Sequence, residues 1–284
     1  MIETEIHCAD RVALDQWHIV GALEDLPTGR SKATPLLGTT VMLLRAADGS
    51  VTASADGRHL PVRRKFGYAW TSLGHPAREI FDIPEFDEPD RRNMNAASMG
   101  VHVSAPRAVE NFLDLAHFAF VHTNYLGVEP HTEIKPYKVD VSAGSDEILA
   151  TKCIAYQPLA SLVATEGYDV EYVYRVPHPY CAILYKANAV DLTRQDVICL
   201  FLQPATEERS IGHMLLSVLD ETNSDTAIRA YQQLIFGQDK PILENQMPKR
   251  LPLDMRTELS AKADASSSTY RRWLKEQGVR YGTI

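Results

Sequence analysis

Asn111, Asp114, His117 and His122 stand at the spacing N-x-x-D-x-x-H-x-x-x-x-H in an otherwise apolar segment, Val109 to His122. Two imidazoles and a carboxylate on one face of Fe(II) leave open positions for dioxygen and a substrate, and this segment offers half of such a set. With ten His in 284 residues, roughly 0.3 pairs are expected by chance at any fixed spacing, so the His pair alone says little. Requiring Asn and Asp at two further fixed positions lowers that expectation to on the order of 10⁻³. The pattern therefore reads as a metal site.

The elements that must position these groups follow from periodicity. Pro106 opens a segment predicted to be helical through His122. On a regular helix Asp114 and His117 lie on neighbouring azimuths, whereas His117 and His122 are about 140° apart. Both reach one metal only if the helix is widened, as π-type bulges are. Upstream, Trp17 to Trp70 reads as short β elements. Leu36 to Arg45 enters an Asp48-Gly49 turn, a second turn is expected at Asp56-Gly57, and Phe66 to Trp70 is a further strand. The Pro- and acid-rich stretch Ile83 to Asp90 marks a boundary, dividing the chain into residues 1–85 and 86–284.

Glu147 to Tyr156, Val170 to Val176, Cys181 to Val190, Val197 to Gln203 and Ile211 to Leu219 read as antiparallel strands. Asn223-Ser224-Asp225 caps a helix expected to reach about Phe236, with Gly237 and Pro241 interrupting it, and a last helix is expected over Leu259 to Gln277. The fold class is α+β, with helices closed over one face of a curved antiparallel sheet and a ligand cavity between them.

The motif with its flanks, Asn111-Phe112 and His117-Phe118-Ala119-Phe120-Val121-His122, closely resembles the catalytic domain of Rieske non-haem iron oxygenase α subunits. Within them it fits the bacterial methylxanthine N-demethylases best. The resemblance extends to Phe236 to Gln246 and covers the chain from Trp17 to about Trp273. It implies a helix-grip (START-like) catalytic domain with an antiparallel sheet and a C-terminal helix. His117, His122 and Asp239 would be the iron ligands, with Glu244 a structural carboxylate. Asp114 would orient His117 and bridge to an electron donor in another subunit. Asn111 would sit near the open metal position, although it reads equally as a polar helix residue. If the helix before Asp239 stays regular, Gln232 and Phe236 share its face and would meet the substrate; core packing and a solvated position are the competing readings.

Rieske [2Fe–2S] ligation needs Cys-x-His and Cys-x-x-His, and this sequence has neither. Ser50 to Ser54 runs almost directly into Ala55 to Pro61, where relatives carry the cluster loops, so residues 1–85 resemble a truncated Rieske-like β-barrel remnant without cluster ligands. A short, Rieske-less N7-demethylase subunit belongs to the family picture. The resemblance implies O2 as co-substrate, NAD(P)H through a reductase carrying an extra Rieske domain, and a glutathione-transferase-like structural partner. It further implies a trimer-based homo- or hetero-oligomer and a purine substrate, 7-methylxanthine, giving xanthine and formaldehyde. An oxygenase acting on an aryl methyl ether, a non-catalytic helix-grip binding protein and a zinc hydrolase are the alternatives.

Composition narrows the partners. The net charge of −8 argues against nucleic acid and acidic membrane surfaces. There is no apolar run of spanning length, and the acidic start Met1 to His7 lacks the pattern of a secretory leader. Cys8, Cys153, Cys181 and Cys199 are too far apart for a C-x-x-C site, and Cys153, Cys181 and Cys199, in strand-like apolar runs, read as buried free thiols, so the cytoplasm is the expected compartment.

Overall fold

The computed structural model of the chain describes residues 8–159, 162 and 166–284; the segment Met1 to His7, read above for its charge, lies outside them. The described residues form helix α1 (Arg11–Leu14), strand β1 (His18–Ala22), strands β2 (Ser31–Leu36), β3 (Thr39–Arg45), β4 (Val51–Ala55) and β5 (Arg58–Leu60), then β6 (Val62–Lys65), β7 (Tyr68–Thr71) and β8 (Arg92–Val101). Helices α2 (Ala105–Leu113) and α3 (Phe118–Val121) follow. Next come β9 (Lys138–Val141), β10 (Ile148–Gln157), β11 (Tyr168–His178), β12 (Cys181–Ala187), β13 (Gln195–Thr206) and β14 (Arg209–Val218), and finally helices α4 (Asp225–Asn245) and α5 (Ala265–Gln277). The fold is mixed α and β, built on antiparallel sheets.

The main sheet has seven strands in the order β8-β14-β13-β12-β11-β10-β9, and every pairing in it is antiparallel. Because side chains alternate along a strand, its two faces have separate partners. On one face Leu184, Leu200, Met214, Tyr172 and Tyr174 join a core with Val109, Leu113 and Phe236 from α2 and α4. On the other, Cys181, Ile183, Cys199, Phe201 and Leu215 pack with Trp17, Ile19, Tyr68 and Trp70. The small sheet β1-β7-β6 supplies Ile19, Tyr68 and Trp70, with Trp17 just ahead of β1, while β2-β3-β4-β5 forms a separate four-stranded sheet.

Several elements depart from the periodicity. Leu36 to Arg45 is not one strand: Leu37 and Gly38 have positive φ and turn the chain between β2 and β3. Phe66 and Gly67 likewise have positive φ, so the strand expected from Phe66 begins at Tyr68. Helix α4 runs through both Gly237 and Pro241 to Asn245. Both residues are exposed, so the backbone bond that Pro241 cannot donate is lost on the solvent side. Helix α5 begins at Ala265, six residues after Leu259, which is fully exposed and has nothing to pack against.

Helix α2 is tied to the C-terminal segment by a buried charge cluster. Arg107 bonds Glu110 at 3.1 Å and Glu258 at 2.6 and 2.9 Å, and Arg271 of α5 bonds the same two carboxylates, Glu110 at 2.5 and 2.9 Å and Glu258 at 2.6 Å. Such a network is costly to break from one side. Arg107 and then Arg271 hold the Glu258 carboxyl down to about 2, against the upward push of burial. A depressed folded-state pKa contributes stability that is present above the unfolded value and is lost as pH falls toward the folded one. The melting temperature is therefore expected to fall between about pH 4.5 and about pH 2, and Glu258→Gln is expected to flatten that slope while lowering stability at neutral pH. An unchanged slope in a thermal melt of the variant would assign the acid sensitivity elsewhere.

Candidate metal centre

Ser104 caps α2, its hydroxyl accepting the Arg107 N–H, and Pro106 sits in the first turn, where a missing N–H is harmless. The helix stops at Leu113. Asp114 has left helical geometry (φ −85°, ψ 126°), and its Oδ1 accepts the Ala116 N–H at 2.7 Å, the local turn by which Asp competes with a helix. His117 then precedes the single turn α3, and His122 ends it. The expected π-type widening is replaced by a break between two helices. A break re-aims both imidazoles more freely than a bulge, since neither His is held on a common helical azimuth.

The break brings three groups together. His117 Nε2 lies 3.1 Å from His122 Nε2, and Asp239 Oδ1, from α4, lies 3.3 Å from the first and 3.1 Å from the second. His117, His122 and Asp239 are the group among the described residues whose ligand atoms converge as a metal site requires. His122 is 1% exposed and Asp239 9%. The partners of the other ring nitrogens decide what faces the centre. His117 Nδ1 meets Asp114 Oδ2 at 3.1 Å, and His122 Nδ1 meets Gln238 Oε1 at 2.9 Å. A carboxylate and an amide oxygen only accept, so each Nδ1 carries a proton, and in the neutral form that a metal requires each ring turns an Nε2 lone pair inward.

Three acceptors thus point at one spot. Despite its short distances to both rings, Asp239 Oδ1 has no hydrogen-bond partner. A proton on one Nε2 can serve the other ring and still leaves that oxygen without an aligned donor. A cation at the common point satisfies all three. Cis ligands about 2.1 Å from a six-coordinate metal are separated by about 3.0 Å, close to the spacing found. Burial pushes the Asp239 carboxyl up, but the two imidazoles hold it below the usual range. Burial likewise pushes His117 down, yet Asp114 and Asp239 raise it to about 9. Asp114 is kept below the usual range mainly by His117, against its own burial.

The triad forms part of the wall of a cavity between the main sheet and helices α2 and α4, together with Asn111, Phe112, Tyr172, Tyr174, Gln232 and Phe236. Gln232 and Phe236 precede Asp239 on α4, and both line this cavity; the Gln232 amide nitrogen approaches Met214 Sδ at 3.9 Å. Glu244, further along α4, accepts the His102 N–H at 2.9 Å and pairs with Lys240, which ties the helix to the chain following β8.

Two positioning residues escaped the sequence reading. Gln238 orients His122, and only the neighbouring Asp239 hinted at it. Gly127 lies so close to α3 that a Cβ there would stand 2.5 Å from the Ala119 nitrogen, and nothing in a lone Gly announces that contact.

Residues 101–279 match the vanillate O-demethylase oxygenase C-terminal domain family. The chain is 45% identical over 280 residues to the probable methylxanthine N7-demethylase NdmC of Pseudomonas sp. (strain TJI-51), covering 98% of this chain and 99% of that one. It is 26% identical to the methylxanthine N1-demethylase NdmA of Pseudomonas putida over 75% of this chain, spanning 58% of the relative. In structure it resembles Pseudomonas putida CBB5 NdmA (TM-score 0.75, 19% identity, 93% of this chain and 90% of that one). It also resembles dicamba monooxygenase bound to 3,6-dichlorosalicylic acid (TM-score 0.76, 16% identity, 93% and 97%). At these identities the structural likeness establishes the fold.

Gln238→Leu should weaken binding of a divalent metal about 10- to 100-fold by freeing His122 to rotate. A chelator-competition titration that finds parent-level affinity would show that Gln238 does not orient the ring.

Proposed function

The chain belongs to the vanillate O-demethylase oxygenase C-terminal domain family, and from that membership we propose that it is the catalytic subunit of an O2-dependent methylxanthine N-demethylase. The observation that carries the reading is the convergence of His117, His122 and Asp239 on the wall of a cavity lined by flat side chains. The reaction would remove the N7-methyl group of 7-methylxanthine: the methylxanthine, O2, NAD(P)H and a proton give xanthine, formaldehyde, NAD(P)⁺ and water. His117, His122 and Asp239 would hold Fe(II), which supplies dioxygen activation with positions left open.

The chain's own residues do the rest. Asp114 fixes the His117 tautomer and, being partly exposed, can meet a donor protein. Phe236, Phe112 and the Tyr172–Tyr174 pair offer flat apolar surface to a purine, and Asn111 and Gln232 offer amides for its oxo groups and ring nitrogens.

Electrons would come from outside this chain. Residues 1–85 read as a Rieske-like β unit without its cluster, ahead of a catalytic unit over 86–284 in which α4 grips the sheet. The turn at Asp56–Gly57 supports this: both residues have positive φ, and they close β4 onto β5 in a tight hairpin where the resemblance would place the cluster loops. The partners would be a reductase bearing an additional Rieske cluster, a glutathione-transferase-like structural protein and further oxygenase subunits in a trimer-based assembly. No described helix is long and apolar enough to cross a membrane, and a cytoplasmic location remains part of the proposal.

Purified chain should bind one iron and no [2Fe–2S] cluster, and should release formaldehyde from 7-methylxanthine only when a Rieske-bearing reductase and NAD(P)H are added. Alanine at His117, His122 or Asp239 should abolish both iron and turnover in a folded protein. Acid-labile sulfide in the parent, or full activity in Asp239→Ala, would contradict the assignment. Asp114→Asn should keep iron yet slow turnover severely, because the amide keeps the shape and loses the charge that orients His117. Parent-level turnover in that variant would remove Asp114 from the electron path.

A further inference from the structure

Two of the described side chains that line the metal-site cavity each leave one buried polar atom without a hydrogen-bond partner: Asp239, with its Oδ1, and Tyr174, with its hydroxyl. The cation toward which the two imidazoles and the carboxylate converge accounts for the first. The second needs another partner. Tyr174 is 1% exposed, and a hydroxyl taken out of water and left unbonded destabilises the folded chain. A phenylalanine would fill the same wall without that penalty, as Phe112 does beside it.

The surroundings show why the fold itself does not supply that partner. On β11, Tyr172 and Tyr174 share a face by alternation, and their rings stack with centroids 6.2 Å apart. The Phe112 ring of α2 stands perpendicular to Tyr174 at 6.0 Å. Across the strands Tyr174 pairs with Ala150 of β10 and Leu184 of β12, neither of which has a side-chain acceptor. The polar groups nearby are engaged elsewhere: Asp114 accepts from Ala116 and meets His117, and the Tyr137 hydroxyl bonds the Ala263 carbonyl and Ser266. Burial pushes the Tyr174 phenol well above its usual range, so it stays protonated and can donate. What completes it is an acceptor on a molecule in the cavity, and the rings of Phe112, Tyr172 and Tyr174 favour a planar one.

We propose that Tyr174 is a specificity-determining residue whose hydroxyl donates a hydrogen bond to a carbonyl oxygen on the planar substrate held beside the metal site. The choice of a purine oxo group as that oxygen rests on the N-demethylase reading. The donor role does not, because a carbonyl on an aryl methyl ether presents the same acceptor.

Tyr174→Phe removes the hydroxyl and keeps the ring, and two measurements on the iron-loaded chain test it. Without ligand, the thermal midpoint of the variant is expected to stay within about 1 °C of the parent or to rise by up to about 4 °C. A fall of more than about 1 °C would mean that the fold already satisfies the hydroxyl, and would overturn the proposal. Calorimetric binding then uses two ligand pairs: 7-methylxanthine against 7-methylpurine, which lacks the oxo groups, and 3-methoxyacetophenone against 3-ethylanisole, which lacks the carbonyl. The variant is expected to lose about 5- to 10-fold in affinity for the carbonyl-bearing member of at least one pair and less than about twofold for its counterpart, with iron content unchanged. Equal losses for both members, no loss at all, or a parent that binds neither carbonyl-bearing ligand would overturn the donor role. A selective loss confined to the ether pair would uphold that role and overturn the purine reading.

Discussion

Three electron-pair donors from distant segments must be held at 3.1–3.3 Å from one another, although nothing in their own chemistry attracts them to that geometry when the rings are neutral. The surrounding structure serves to impose it. Asp114 and Gln238 each take an Nδ1 proton and so decide which lone pair faces inward. The cluster of Arg107, Glu110, Glu258 and Arg271 fixes α2, from which the His-bearing segment departs. The close seating of Gly127 against α3 fixes the one-turn helix between the two rings. On the opposite side, α4 must continue through Gly237 and Pro241, because Gln238 and Asp239 enter the centre from its interior.

The same arrangement makes protons and a metal competitors. Asp114 and Asp239 raise His117 to about 9 in spite of burial, so at neutral pH without metal this imidazole is cationic. A bound metal needs the neutral ring, and its arrival releases that proton. Asp114 has a double part. Its backbone ends α2, and its side chain then stabilises whichever positive charge the centre holds, proton or metal. Those tasks are separable in principle, since an amide can form the same turn without supplying the charge.

Much of this was legible in the sequence, and the failures have physical reasons. The strands β10 and β11 alternate buried with more exposed residues, and β12 to β14 are apolar runs buried on both faces, so pattern and structure agree to within a few residues. The motif Asn111, Asp114, His117 and His122 was visible because four uncommon polar types stood in an apolar stretch. The helix break was not, because Asp114 and Leu115 carry no Gly or Pro to announce it; the side chain's own bond to Ala116 ends the helix. Turns such as Leu37-Gly38 and Phe66-Gly67 were hidden because a bulky apolar residue holds the positive-φ position, and tertiary burial of Leu37 and Phe66 offsets that local cost. Pro241 misled in the other direction, since its effect depends on whether the lost bond faces solvent.

The back face of the main sheet is covered by residues from the N-terminal part of the chain. Cys181, Ile183, Cys199, Phe201 and Leu215 are each at most 1% exposed, and Trp17, Ile19, Tyr68 and Trp70 cover them. At about 25 cal/mol per Å² of apolar surface, exposing even a few such side chains costs several kcal/mol, a large part of a typical domain's net stability. The strands β1 and β7 are therefore required by the catalytic sheet whether or not a cluster is carried. The β4–β5 hairpin lies in the separate four-stranded sheet. Its tip can be shortened without uncovering that face. The proposed absence of cluster loops, with the covering strands kept, is therefore compatible with this packing.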